Sequence, residues 1–356
     1  MFPSEIQMLL VIFGAGASYD SIPFIPPQNY NQFRPPLGDN LFEARQYFLD
    51  IMSRYPRCKG IAPHLIGGSV EQKLQELSAG ANPEVRRQLT AVKYYLQEVI
   101  TLCDKQWSRL SRGITNYRGL FDEIEGWRQR QNTNICVVTF NYDTLLESAL
   151  VEDPRIQKKL ERIEDYVLPP YTLVKAHGSI NWGHDYSPQT DASTLISLRQ
   201  GTPSDIVGQK NRMIDLSSAI KLDEKFYLIQ GDLKTGYLTP ALAIPVETKS
   251  DYECPKDHID RLCQFLPSVK IMITIGWRAK ERTLMDMLID RLSSNVKTMV
   301  VSSSPESANK RIKFMEQAGL KCEFFPANVA GFTQFASGRE ATRFLNQMSA
   351  QLGLVS

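Results

Sequence analysis

An apolar run from Ile6 to Phe13 stops at Gly14, which predicts a short, fully buried strand. The Pro-rich stretch of residues 23–36 predicts loop, because prolines remove donors and fix dihedrals. From residue 39 to 130 the apolar positions take helical spacing. Leu41, Ala44, Phe48, Ile51 and Tyr55 form one stripe, and Ser69 with Gln72 has the form of a capping box before a short helix ending near Gly80. Asn82-Pro83 opens the strongest helix, with Val85, Leu89, Val92, Leu96, Val99, Cys103, Trp107 and Leu110 on one face. Tyr117, Phe121, Ile124 and Trp127 mark another. Such stripes predict core packing.

Beyond residue 130 strand and helix patterns alternate. Strands are expected over residues 135–140, 171–176, 226–229, 241–246, 270–275, 297–301 and 321–325. Helices are expected over 144–150, 281–292, 305–317 and 332–352, with a polar, irregular stretch over 183–223. The alternation implies an α/β protein: a Rossmann-like, doubly wound, mostly parallel sheet with an inserted helical subdomain. The core would comprise residues 1–38 and 131–356, the helical insertion 39–130, and an irregular insertion 183–240 within the core.

The chain's 356 residues are 42% hydrophobic and 22% charged, a globular composition. Lys plus Arg is 41 against 39 for Asp plus Glu, so charge gives no case for direct nucleic-acid binding. The early apolar run is too short to span a bilayer and carries no basic leader, from which we expect a cytoplasmic protein without membrane attachment. The six cysteines contain no C-x-x-C pair, so neither a zinc site nor a disulfide framework is expected, and no metal is predicted.

Three motifs carry chemistry. Gly14-Ala15-Gly16-Ala17-Ser18 follows the first strand, where small residues let backbone N–H groups approach a phosphate, although a tight turn also needs glycine for conformation alone. Tyr19 stands where a dehydrogenase fingerprint has its third glycine, and no strand with a ribose-binding acid follows, which disfavours hydride transfer. Asn141 and Asp143 in Phe140-Asn141-Tyr142-Asp143, and His177 in Lys175-Ala176-His177-Gly178-Ser179, each lie just past a strand end. Ligands of open α/β sheets bind there, so the three motifs should converge on one crevice. Taken singly, Asn141 and Asp143 also suit a helix cap, and His177 a packed histidine.

Taken together with Ile180-Asn181-Trp182, these motifs resemble the sirtuin-like NAD-hydrolase family of bacterial anti-phage defence, distant relatives of the sirtuin deacylases. The resemblance covers roughly residues 6–34 and 132–330. It implies that Gly14, Ala15, Gly16, Ala17 and Ser18 bind the phosphates of NAD, the substrate, and that Asn141 and His177 are catalytic. Asp143 would border the nicotinamide pocket, Gly276-Trp277 would replace the second phosphate-side turn, Ser302 and Ser303 would lie near the adenosine ribose, and Arg34 could reach the phosphates. The zinc-ligand cysteines of the deacylases are absent and Phe140 stands where they have glutamine, which leaves NAD cleavage as the expected activity. A protein deacylase and a nucleotide-sensing module without catalysis are the alternatives. The resemblance further implies control by homo-oligomerisation and by a partner, such as a translocase ATPase or a phage component.

Overall fold

The computed structural model describes residues 6–65, 70–78, 82–187, 190–191, 193, 205–229, 238–244 and 252–354. Its strands are β1 (Ile6–Phe13), β2 (Thr133–Thr139), β3 (Tyr171–Lys175), β4 (Gly178–His184), β5 (Tyr227–Leu228), β6 (Thr239–Leu242), β7 (Ile271–Ile275), β8 (Val296–Val301) and β9 (Cys322–Pro326). Six of them form one sheet in the order β3-β2-β1-β7-β8-β9, every neighbouring pair parallel. Helices cover both faces, so Leu9 to Phe13, Ile135 to Val138 and Ile271 to Ile273 are fully buried. This is the expected Rossmann-like α/β architecture. From β1 the chain builds outward to β2 and β3, then returns on the other side of β1 to lay down β7. The winding therefore reverses between β1 and β7, which opens a crevice at their carboxyl ends.

The helical region after β1 comprises α1 (Ala15–Tyr19), α2 (Gln46–Ser53), α3 (Pro56–Leu65), α4 (Val70–Ser78), α5 (Pro83–Ser111) and α6 (Asn116–Gln131). Asn82 caps α5 by accepting from the Val85 N–H at 2.9 Å. The first expected stripe becomes helical only at Gln46, after a tight 3₁₀ turn over Gly38–Asn40. Helices α2 to α5 enclose a core of their own, built around Phe48, Tyr95 and Val99, which meets Ile180 and Leu242 of the second sheet. The stripe of α6 joins the main core instead, where Tyr117, Phe121 and Ile124 pack with Phe13 and Val137. The expected capping residue Ser69, the helix end at Gly80 and residues 245–246 lie outside the described residues.

Two expectations are corrected. The stretch expected to be irregular contains the end of β4 and helix α8 (Ile206–Leu216), which follows α7 (Leu145–Glu152) in the chain. Strand β4 pairs antiparallel with β5 and β6 in a second sheet, and its Gly178, Asn181 and Gly183 carry no strand pattern. Its conformation comes from that ladder and from burial of Trp182, not from local preference. The helices that follow are α9 (Lys256–Phe265), α10 (Arg282–Arg291), α11 (Pro305–Gln317), α12 (Gly331–Ser337) and α13 (Glu340–Gln351). Residues 332–352 are thus two helices, broken where Arg339 adopts a left-handed conformation with φ of 53°.

The six cysteines are free thiols. Among the described residues no helix is long and apolar enough to cross a membrane.

Candidate functional site

The carboxyl ends of β1, β2, β3, β7 and β8 open on one cavity of about 540 Å³. Its floor is a junction of two turns. The Gly14 N–H donates to the Ile275 carbonyl at 3.0 Å, the Gly16 N–H points at the Gly276 carbonyl at 3.4 Å, and the Ala17 N–H donates to the Gly14 carbonyl at 2.9 Å. A Cβ on Gly14 would come within 2.7 Å of Trp277 Cα. Glycine is therefore required here by the contact between turns, and three of the N–H groups of this segment are committed within the protein.

Asn141 is anchored by its nitrogen. Nδ2 donates one hydrogen to the Gly14 carbonyl at 3.1 Å and shares the other between Ser18 Oγ at 2.9 Å and the Tyr117 hydroxyl at 3.1 Å. A backbone carbonyl only accepts, so the Gly14 contact decides which end of the carboxamide faces inward. The other end, Oδ1, is buried and has no partner among the described residues, although Asn141 lines the cavity. A buried acceptor left in this state costs about 1–3 kcal/mol, unless a ligand or water donates to it.

His177 follows β3 and lines the same cavity half-buried. Its ring meets Phe140 edge-on at 4.8 Å between centroids, and Phe140 lies parallel to Trp277 at 6.2 Å. These aromatic faces give one end of the cavity a dry wall. Asp143 lines it as well and accepts from the Leu145 N–H at 3.3 Å. Beneath Asp143 lies a buried charge cluster. Lys175 Nζ donates to the Asp143 carbonyl and, at 2.6 Å, to Glu147 Oε1. Asp104, from α5, accepts from the Thr144 N–H at 3.3 Å and the Thr144 hydroxyl at 2.7 Å. Burial, with the neighbouring Asp143 charge adding to it, pushes Asp104 up to about 7, and burial raises Glu147 too.

At the opposite end, Ser302 and Ser303 line the cavity just past β8, joined by Ser307 and Arg311 from α11. Gly276, Trp277, Arg278 and Lys280 line its middle. The cavity thus gathers Gly14, Ala15, Gly16, Ser18, Asn141, Asp143, His177, Gly276, Trp277, Ser302 and Ser303 of the expected set. It does not gather two. Ala17 is fully buried beneath the turn. Arg34 stacks its guanidinium on Tyr19 at 4.4 Å and on Trp107 at 5.8 Å, behind the wall rather than on it.

Sequence reasoning missed Arg278, Lys280 and Arg311, although a basic pair just after Gly276-Trp277 at a strand end was a usable signal. It also read Tyr117 as core alone; the signal was a hydroxyl on an otherwise apolar stripe.

No protein-family model and no curated protein matches the sequence. Among solved structures, one described as "Structural Basis for the Mechanism and Regulation of Sir2 Enzymes" is similar with a TM-score of 0.38 and 12% identity, over 97% of this chain and 94% of that one. Cytosolic 5'-nucleotidase IIIB bound to cytidine gives a TM-score of 0.36 and 11% identity, over 99% and 89%. Likenesses at this level carry no argument about function, which rests on the site itself.

Proposed function

We propose that the protein is an NAD glycohydrolase that cleaves the nicotinamide–ribose bond to give nicotinamide and ADP-ribose. The observation that carries this reading is Asn141: its nitrogen is fixed by the fold, and its buried Oδ1 is left to accept from a ligand in the cavity that His177 also lines. The length of the crevice supports a dinucleotide. From the end of β3 to the end of β8 are four interstrand steps, about 19 Å at about 4.8 Å each. One end is aromatic and carries the candidate base, the middle holds Arg278 and Lys280 with Glu281 beside them, and the far end brings Ser302, Ser303 and Arg311, an order that suits nicotinamide riboside, pyrophosphate and adenosine in turn.

In this reading the nicotinamide riboside lies at the β2–β3 end. The bond from C1′ to the pyridine nitrogen breaks, its electron pair leaves with nicotinamide, and positive character gathers on the ribose carbon. Asn141 Oδ1 accepts from a ribose hydroxyl or from the attacking water. His177 takes the proton that water loses as its oxygen bonds to C1′, directly or through a ribose hydroxyl, since imidazole titrates near neutral pH. Asp143 receives the carboxamide of the departing ring. The Phe140–Trp277 wall keeps bulk water from the ring, which strengthens each of these interactions.

The test is direct. The purified protein is incubated with NAD and the products are resolved by chromatography. Equimolar nicotinamide and ADP-ribose are expected; NAD recovered intact under conditions where the protein binds it overturns the reading.

A further inference from the structure

The hydrogen-bond directions around Asn141 can be assigned by counting protons. Tyr117 is completely buried, and among the described residues its hydroxyl meets two groups, Ser18 Oγ at 2.9 Å and Asn141 Nδ2 at 3.1 Å. Nδ2 only donates, so the phenolic hydrogen has one acceptor, Ser18 Oγ. Burial raises the Tyr117 phenol well above its ordinary range, so that hydrogen stays in place. Asn141 Nδ2 has two hydrogens: one goes to the Gly14 carbonyl, and the other is shared between Ser18 Oγ at 2.9 Å and the Tyr117 hydroxyl at 3.1 Å. Neither neighbour takes the hydrogen of Ser18, because Nδ2 has no acceptor to offer and the phenol is already the donor to Oγ, so that hydrogen is left over. Ser18 lines the cavity.

We propose that Tyr117, contributed by α6, is a positioning residue that turns Ser18 into a hydrogen-bond donor and Asn141 into an acceptor toward one ligand. The assignment follows from the contacts of Tyr117, Ser18 and Asn141 and needs no ligand. Its consequence for the substrate rests on the dinucleotide reading above: the ligand must offer an oxyanion to Ser18 and a hydroxyl to Asn141 side by side, as a ribose joined to a phosphate does. Ser18 thereby contributes through its side chain in a segment where the N–H groups of Gly14, Gly16 and Ala17 are already committed. The apolar face of α6, which closes the core, is in the same stroke part of the site. Phe13 and Phe332 hold the Tyr117 ring edge-on at 5.1 and 5.3 Å, which fixes where its hydroxyl points.

Two measurements test this. Raman difference spectra between the wild type and Ser18→Ala read the donor or acceptor state of the phenol without any ligand. A strong-donor tyrosine signature lost in the variant is expected; spectra showing no change in a tyrosine donor overturn the assignment. Calorimetric titration with ADP-ribose then compares the wild type, Ser18→Ala, Tyr117→Phe and the double variant. Each single change is expected to weaken binding about tenfold, the scale of one hydrogen bond to a charged group, with little further loss in the double variant. Fully additive losses, or a Tyr117→Phe protein that binds as the wild type does, overturn the positioning role. A wild type blind to ADP-ribose removes the dinucleotide reading and the ligand consequence drawn from it, while the Raman result still decides the direction of the bond.

Discussion

Gly16 and Gly276 lie backbone against backbone, and this contact joins the turn after β1 to the turn after β7. A Cβ on Gly276 would meet the Gly16 carbonyl carbon at 2.7 Å and the Ala17 nitrogen at 2.5 Å, and Gly276 already holds a left-handed conformation with φ of 62°. Both neighbours are backbone and cannot swing aside. The two turns therefore act as one rigid floor at the point where the winding of the sheet reverses.

Gly276→Ala is expected to destabilise the fold by about 2 kcal/mol or more, combining the left-handed strain with overpacking. Urea denaturation checks this. A midpoint equal to that of the wild type would mean that the junction is looser than described.

His177→Ala and Asn141→Ala are each expected to lower NAD turnover about 10²-fold, the usual scale for a positioned acid–base or polar group. Asn141→Asp is the sharper test. It retains an outward oxygen but sets a carboxylate oxygen against the Gly14 carbonyl, where the nitrogen now donates. Turnover should fall at least as far as in Asn141→Ala; an active aspartate variant would count against the anchoring described.

Arg311 lines the cavity beside Ser307, one helical turn away on α11, and among the described residues no carboxylate pairs with it. If the dinucleotide lies as proposed, with Arg311 at the end away from the reacting bond, Arg311→Glu should raise KM for NAD about tenfold with little change in kcat. Steady-state kinetics separate the two. A fall in kcat with KM unchanged would refute a purely binding role.

Folding stability should depend on pH through Asp104. Its carboxyl is raised from the ordinary 3.8 to about 7, chiefly by burial. Between those values the folded protein holds a proton that the unfolded chain has released, so this group makes stability fall as pH rises across the window and adds no further slope above it. Asp104→Asn, which keeps an acceptor for Thr144 without the titration, should flatten that slope. Denaturation midpoints of both proteins at about pH 5 and about pH 7.5 decide it, and an unchanged slope would show that Asp104 titrates as an ordinary aspartate.

The parallel sheet was legible in the sequence because each of its central strands is a short apolar run with a stop signal, and burial on both faces needs no information beyond the segment. The order of Gly14, Asn141 and His177 after such runs was enough to send them to one edge of the sheet, since parallel strands put all their carboxyl ends on the same side. Strand β4 and the break at Arg339 were not legible. A strand carrying two glycines and a histidine is held by partners more than forty residues away, and a helix interruption without proline is decided by what each half packs against. Nor could the pattern distinguish Tyr117 as a hydroxyl aimed at Asn141 from a ring filling the core, because one side chain does both and spacing records only the ring. Local periodicity thus determined which segments are strands and helices and which residues stand at their ends. Hydrogen-bond direction, the interlock of Gly16 with Gly276, and the withdrawal of Arg34 onto Tyr19 were decided by contacts between segments remote in the chain, since such contacts exist only once the layers are packed.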